Sequence, residues 1–194
     1  MSNQAHGKLT ALKELKRSYL RQMFPQDGEK VPRIRFDGFS GAWEKRKLGE
    51  VADMYDNLRI PVAESLRELG STPYYGANGI QGYVKGYTHD GEFVLIAEDG
   101  ASDIANYPVR YAAGQMWVNN HAHVLQGKLG ETDTLCLSYI MSVVNYQPFL
   151  VGGTRAKLNG GVLKEIPVSI PALNEQKKLA AFFHTLDNLI ALHS

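Results

Sequence analysis

A chain of 194 residues with 44% hydrophobic content can bury the core of one ordinary domain with short attachments. Its one cysteine, Cys136, excludes an internal disulfide and a CxxC zinc site and reads as a buried thiol, and no apolar run reaches the roughly 18 residues of a membrane span. Net charge is +1, but residues 1–50 carry eleven Lys/Arg against six Asp/Glu while residues 51–194 carry ten against fourteen, so any grip on nucleic acid is expected to be shared with a partner. The polar start Met1-Ser-Asn-Gln-Ala-His6 lacks the apolar core of a signal peptide. A cytoplasmic location and no membrane partner are therefore expected.

Residues 8–24 hold strong helix formers with no Gly or Pro, and Pro25 ends the run. Leu9, Leu12, Leu15, Tyr19, Leu20 and Met23 fall in an arc roughly 140° wide, with Lys13, Arg17 and Arg21 outside it and Lys16 intruding. Residues 25–41 are rich in Pro, Gly and Asp and read as a connector. A short strand and a helical turn follow over 43–55, with Trp43, Leu48 and Val51 pointing inward.

Asn78-Gly79 and Asp90-Gly91 are hairpin dipeptides, Phe93-Val-Leu-Ile96 is a short β-rich run, and Asp99-Gly100 turns the chain again. Residues 117–125 read as one strand. Asp133 or Thr134 caps a helix to about Tyr146, and the prolines of Ile166-Pro-Val-Ser-Ile-Pro171 place a short strand at an edge. Asn174 is the expected N-cap of a last helix with Glu175 in its first turn, and its apolar stripe is Leu179, Phe182, Phe183, Leu186, Leu189 and Ile190. Two amphipathic helices thus bracket an antiparallel β meander. The helices either pack on the domain's own core or form a coiled-coil-like pair that docks onto other chains.

Catalytic patterns fail on spacing. Gly76, Gly79 and Gly82 are spaced GxxGxxG, which is neither a dinucleotide fingerprint nor a P-loop. His121 and His123 could share a strand face, but no third ligand follows at metal spacing and no metal is expected. Ser102-Asp103 has no GxSxG context, and Glu98-Asp99 reads as the start of a turn.

Groups suited to nucleic acid do cluster. Asn and Gln pair with adenine, Arg and Lys with guanine, and tyrosines hold phosphates. Tyr74, Tyr75, Asn78, Gln81, Tyr83 and Lys85 lie around one hairpin, Asn119 and Asn120 add more, and Arg155, Lys157 and Asn159 sit in the Gly-flanked stretch GGTRAKLNGG. Asn, Gly and Tyr are also the residues that build hairpins, so each position taken alone has that second reading.

The stretches LTALKELKRSYLRQMFP (9–25), FSGAWEKRKLGEV (39–51), YYGANGIQGYV (74–84), EDGAS (98–102), WVNNHAHVL (117–125) and LKEIPVSIPALNEQKKLAAFFHTLDNLIALH (163–193) resemble the DNA specificity subunit of type I restriction-modification systems. The resemblance covers nearly the whole chain. It implies an α+β fold: a mostly antiparallel target recognition domain over 27–172, flanked by conserved-region helices over 1–26 and 173–194. It also implies a non-catalytic recognition role on double-stranded DNA, with S-adenosylmethionine bound by a partner methyltransferase subunit and cleavage supplied by a restriction subunit.

A full family member joins two recognition domains by long helices, whereas this chain has one. The resemblance therefore implies a half-subunit whose exposed stripes (Leu9, Leu12, Leu15 and Tyr19; Leu179, Phe182, Phe183, Leu186, Leu189 and Ile190) pair with a second copy or another half-subunit. A truncated or silent cassette, serving as a recombination reservoir or an inhibitory assembly partner, is the alternative.

Overall fold

The computed structural model describes residues 3–153 and 155–194. In chain order the elements are α1 (Asn3–Met23), β1 (Glu44–Lys47), α2 (Leu48–Val51), β2 (Ala52–Met54), β3 (Leu69–Gly76), β4 (Gly79–Val84) and β5 (His89–Ala97). There follow β6 (Val109–Val118), β7 (Ala122–Gly127), α3 (Thr134–Ser142), α4 (Gly160–Glu165), β8 (Pro167–Ile170) and α5 (Leu173–Leu192). Two compact units result, one of residues 1–45 and 169–194 and the other of residues 46–168.

The helical unit pairs α1 with α5. Tyr19 meets Phe182 edge-on at 5.2 Å and Phe24 meets Phe183 at 5.5 Å, while Lys16 pairs with Asp187 further along, so the helices run antiparallel. The connector joins this unit because its backbone folds back: Ile34 N–H donates to Gln22, and Trp43 N–H to Lys30. Arg35 then grips Glu175 with two bonds of 2.8 Å and donates to the Gly41 carbonyl, a bidentate pair in which the carboxylate is buried. Helix α5 begins two residues earlier than expected. Ala172 is its N-cap, its carbonyl accepting from Glu175 and Gln176, so Asn174 lies inside the helix.

The expected apolar stripes are partly consumed here. Leu179, Phe183 and Leu186 are buried by the chain itself; Leu9, Leu12, Tyr19, Phe182 and Ile190 are half-buried, and Leu15 and Leu189 remain about two-fifths exposed. Among the described residues, no helix is long and apolar enough to cross a membrane.

The other unit is a six-stranded sheet of order β2-β7-β5-β6-β3-β4, antiparallel except where β3 runs beside β6. Its geometry forbids a flat sheet. A straight β5 would span about 26 Å from His89 to Ala97, whose partners on its two flanks are Met116 and Ala122. Yet the chain from Met116 to Ala122 can reach only about 21 Å. The ladder bends where Gly91 faces Gly114, both with positive φ, a conformation L side chains rarely adopt. Asp90-Gly91 is therefore a bend inside β5 and not the expected hairpin turn.

The expected strand over 117–125 is likewise broken into β6 and β7 by Asn119-Asn120-His121. Inside the curl pack Phe93, Leu95, Ala112, Met116, Val118, Ala122 and Val124, with Tyr55 and Tyr75 against them. Helix α3 is capped by Asp133, whose carboxylate accepts from Cys136 N–H at 2.7 Å, and it ends at Ser142, short of Tyr146. Cys136 is fully buried.

Candidate nucleic-acid interface

The curl gathers three loops around a fourth, 98–102. Glu98 N–H donates to His121, Leu158 N–H donates to Glu98, and Asp99 bridges Lys157, which in turn bridges Val151. The β3–β4 tip arrives through Asn78, whose amide nitrogen donates to Gly100 at 2.9 Å and whose amide oxygen accepts from Ser102 N–H at 2.8 Å.

The tip itself is a two-residue turn, Ala77-Asn78, closed by Gly76 facing Gly79, with Gly79 at φ +113°. Positive φ thus falls on the glycine alone, as in a turn followed by a glycine bulge. A side chain at Gly79 would collide with the Arg110 guanidinium, which lies across the tip and donates to the Asn78 carbonyl at 2.9 Å. The register also slips between Tyr74 and Tyr75, leaving Gln81 as the extra residue of β4, exposed and folded over Gly76.

Beneath the loops lies a network of charges. His123 Nδ1 stands 2.6 Å from Asp56, its Nε2 stands 2.8 Å from the Leu158 carbonyl, and Asp56 also accepts from Val124 N–H. Arg59 bonds Glu98 at 2.7 Å and lies 3.3 Å from Asp56. Asp56, Glu98 and His123 stand close enough to hold an ion, but Arg59 lies between the two carboxylates and both imidazole nitrogens are engaged, so the geometry is that of an ion-pair network.

Burial pushes the carboxyls of Asp56, Glu98 and Asp99 upward, but their hydrogen-bonded partners outweigh it: His123 for Asp56, Arg59 and Lys157 for Glu98, and His121 and Arg155 for Asp99. All three settle below the ordinary carboxylate range. Tyr107, which donates to the Ala97 carbonyl, is pushed up to about 12 by burial and by Asp99 and Glu98 nearby.

The residues expected at DNA divide into two sets. Asn78, Asn119, Asn120, Arg155, Lys157 and Asn159 belong to the loop cluster, with Gln81 beside the tip. Tyr83 and Lys85 lie toward the base of the same hairpin, Lys85 beside Glu68. Three expectations need correction. Tyr74 is buried, its hydroxyl accepting from Val62 N–H and donating to Val62 O, with Arg67 stacked 3.8 Å over its ring. Asn119 is buried and accepts from His121 N–H, and Tyr75 is half-buried against the core. Asn78 has both amide atoms engaged with backbone, which makes it a staple of the loops.

Sequence reading passed over Arg110 and the organising roles of Glu98 and Asp99. The EDGAS stretch was visible, but its pairing with distant cations was not.

Residues 41–194 match the family described as the type I restriction modification DNA specificity domain. The chain belongs to that family. A putative type I restriction enzyme specificity subunit from Haemophilus influenzae is 48% identical over 151 residues, 78% of this chain and 38% of that protein. The type I restriction enzyme EcoprrI specificity subunit of Escherichia coli is 29% identical, over 75% of this chain and 36% of its own length.

Among solved structures, the type I restriction-modification S subunit from M. genitalium superposes with a TM-score of 0.77 at 16% identity, over 98% of this chain and 51% of that one. The HsdS subunit from Thermoanaerobacter tengcongensis gives 0.58 at 16% identity, over 97% and 46%. The chain thus spans under two-fifths of the curated relatives it matches and about half of these solved chains, and the solved structures speak for the specificity-subunit fold. The family is one of DNA recognition in restriction-modification complexes, and methylation and cleavage are not its chemistry.

Proposed function

We propose that this specificity domain reads one half of a split DNA target with the loop cluster around 98–102. The observation that carries this reading is the convergence of the hairpin tip, residues 119–121 and residues 155–159 on one segment, a fixed multi-loop surface of the kind that reads base edges. Gln81, Asn120, Arg155, Lys157 and Asn159 are exposed there, and Arg110 adds a cation at the tip. The module is non-catalytic and acts in the cytoplasm. Helices α1 and α5 dock methyltransferase subunits, and through them the restriction subunit, with S-adenosylmethionine bound by the methyltransferase.

The sheet unit holds ten Lys/Arg against thirteen Asp/Glu and the helical unit eleven against seven. Phosphate affinity of the assembled complex therefore comes largely from other surfaces. A second copy, or another specificity half, supplies the other half-site, through apolar positions such as Leu15 and Leu189 that the chain leaves open.

The test is co-expression with the methyltransferase and mapping of the methylated adenines. A two-part motif is expected, with inverted halves if two copies act together and unlike halves if a different partner does. Lys157→Ala, Asn120→Ala and Gln81→Ala are expected to alter or abolish this domain's half. A motif unchanged by all three contradicts the proposal.

A further inference from the structure

Three cations and an imidazole surround Glu98 and Asp99, and their surroundings separate them into two classes. Arg59 and Glu98 are each about one-seventh exposed, and Arg59 also donates to the Asp56 and Ala122 carbonyls, so that pair is fixed in place. Asp99 holds a different kind of partner. Its Oδ2 accepts from Arg155 at 3.2 Å, with the arginine side chain 66% exposed, and its Oδ1 accepts from His121 Nδ1, with that ring 37% exposed.

A guanidinium and an imidazole at the surface of the proposed DNA-reading cluster are therefore held in the free protein by an anion whose charge and oxygen geometry resemble those of a backbone phosphate. The sheet unit is already acidic by three charges.

We propose that Asp99 is a built-in competitor for DNA phosphate: it occupies Arg155 and His121 until a phosphate displaces it, and so weakens the domain's grip on DNA of any sequence. Resting on the reading that the loop cluster faces DNA, the proposal deepens it by giving one residue an attenuating role. The exchange is cheap on the protein's side, because Arg155, two-thirds exposed, gives up only a surface contact with the partly buried Asp99. Asp99 stays in place after release through its backbone bridge to Lys157. Glu98 does not exchange, since its loss would leave Arg59 unpaired in a buried site.

The full chain, its Asp99→Asn and Arg155→Ala variants and the double variant are titrated with a labelled duplex of arbitrary sequence across a salt series. Asp99→Asn is expected to bind about two- to fivefold tighter at low salt, the range a surface ion pair commands. Its log K against log salt slope is expected to steepen by about one, for one more phosphate neutralised. The double variant is expected to fall back to the level of Arg155→Ala.

A residue that only braces the loop would do the reverse, so unchanged or weaker binding by a folded Asp99→Asn overturns the proposal. Asp99→Ser replaces it if melting shows the Asn variant unfolded. In the unaltered chain, the His121 ring resonances must also shift when duplex is added, and unmoved signals at saturating DNA overturn the proposal too. Lys157→Ala and Asn120→Ala separate the two readings: if they weaken binding while Asp99→Asn does not tighten it, only the competitor role fails.

Discussion

The tip and the base of the β3–β4 hairpin, some 17–20 Å apart along β4, are made from the same residue types and behave differently. At the tip, Asn78, Asp99, His121, Arg155 and Lys157 bond mainly to one another and to backbone from four loops. At the base, Lys85 reaches Glu68 only at 3.4 Å, both side chains being three-quarters exposed. A cavity of about 440 Å³ opens there between Arg67, Tyr74 and Trp117. Exposure of a polar residue is thus a poor guide to a reading surface, and convergence of separate loops on one anchored segment is a better one.

The largest loss of stability is expected beneath the tip. Asp56→Ala removes the partner of His123, Arg59 and Val124 N–H at once, and is expected to cost about 3–5 kcal/mol in urea unfolding. At the base, Tyr74→Phe deletes the hydroxyl bonded to Val62 and should cost about 1–3 kcal/mol while leaving the methylated motif intact. Asn78→Ala should cost about 1–2 kcal/mol, seen chiefly as faster amide exchange at 100–102. Lys85→Ala is expected to change stability by less than about 0.5 kcal/mol and the motif not at all.

Acid offers a test of the tip network without mutation. Asp56, Glu98 and Asp99 are held below their ordinary values of 3.8, 4.5 and 3.8. Groups lowered on folding stabilise fully above those ordinary values and lose their contribution as pH falls through the folded ones. The urea midpoint should therefore hold near neutrality and drop below about pH 4.5, with less of a drop in Asp56→Ala.

Much of this architecture could be read from local chemistry. The flanking helices announce themselves by a 3.6-residue apolar period, and Phe93-Val-Leu-Ile96 by its β-branched run. Asp90-Gly91 misled because the dipeptide that makes a tight turn also makes a strand bend, and only the chain-length conflict between Met116 and Ala122 decides between them. Residues 117–125 misled because Asn119 caps the backbone of His121 with its own side chain, breaking the strand where the β propensity of its neighbours would continue it.

The candidate site was half visible. Asn, Gln and Lys at the tip signal hydrogen-bonding capacity, but not that Asn78 uses its capacity on Gly100 and Ser102. The pairing of Asp99 with Arg155 joins positions more than fifty residues apart, and no local pattern encodes it. Tyr74 looked like a phosphate contact because a tyrosine's type says nothing about which face of its strand it occupies.

The decisive measurement is hydrogen–deuterium exchange of the chain, assembled with the proposed methyltransferase partner and bound to a duplex carrying the mapped motif. New protection is predicted at 77–81, 98–102, 119–121 and 155–159, with 66–69 and 85–87 unchanged. Protection confined to the hairpin base, with the four loops exchanging as in the free complex, would contradict the account.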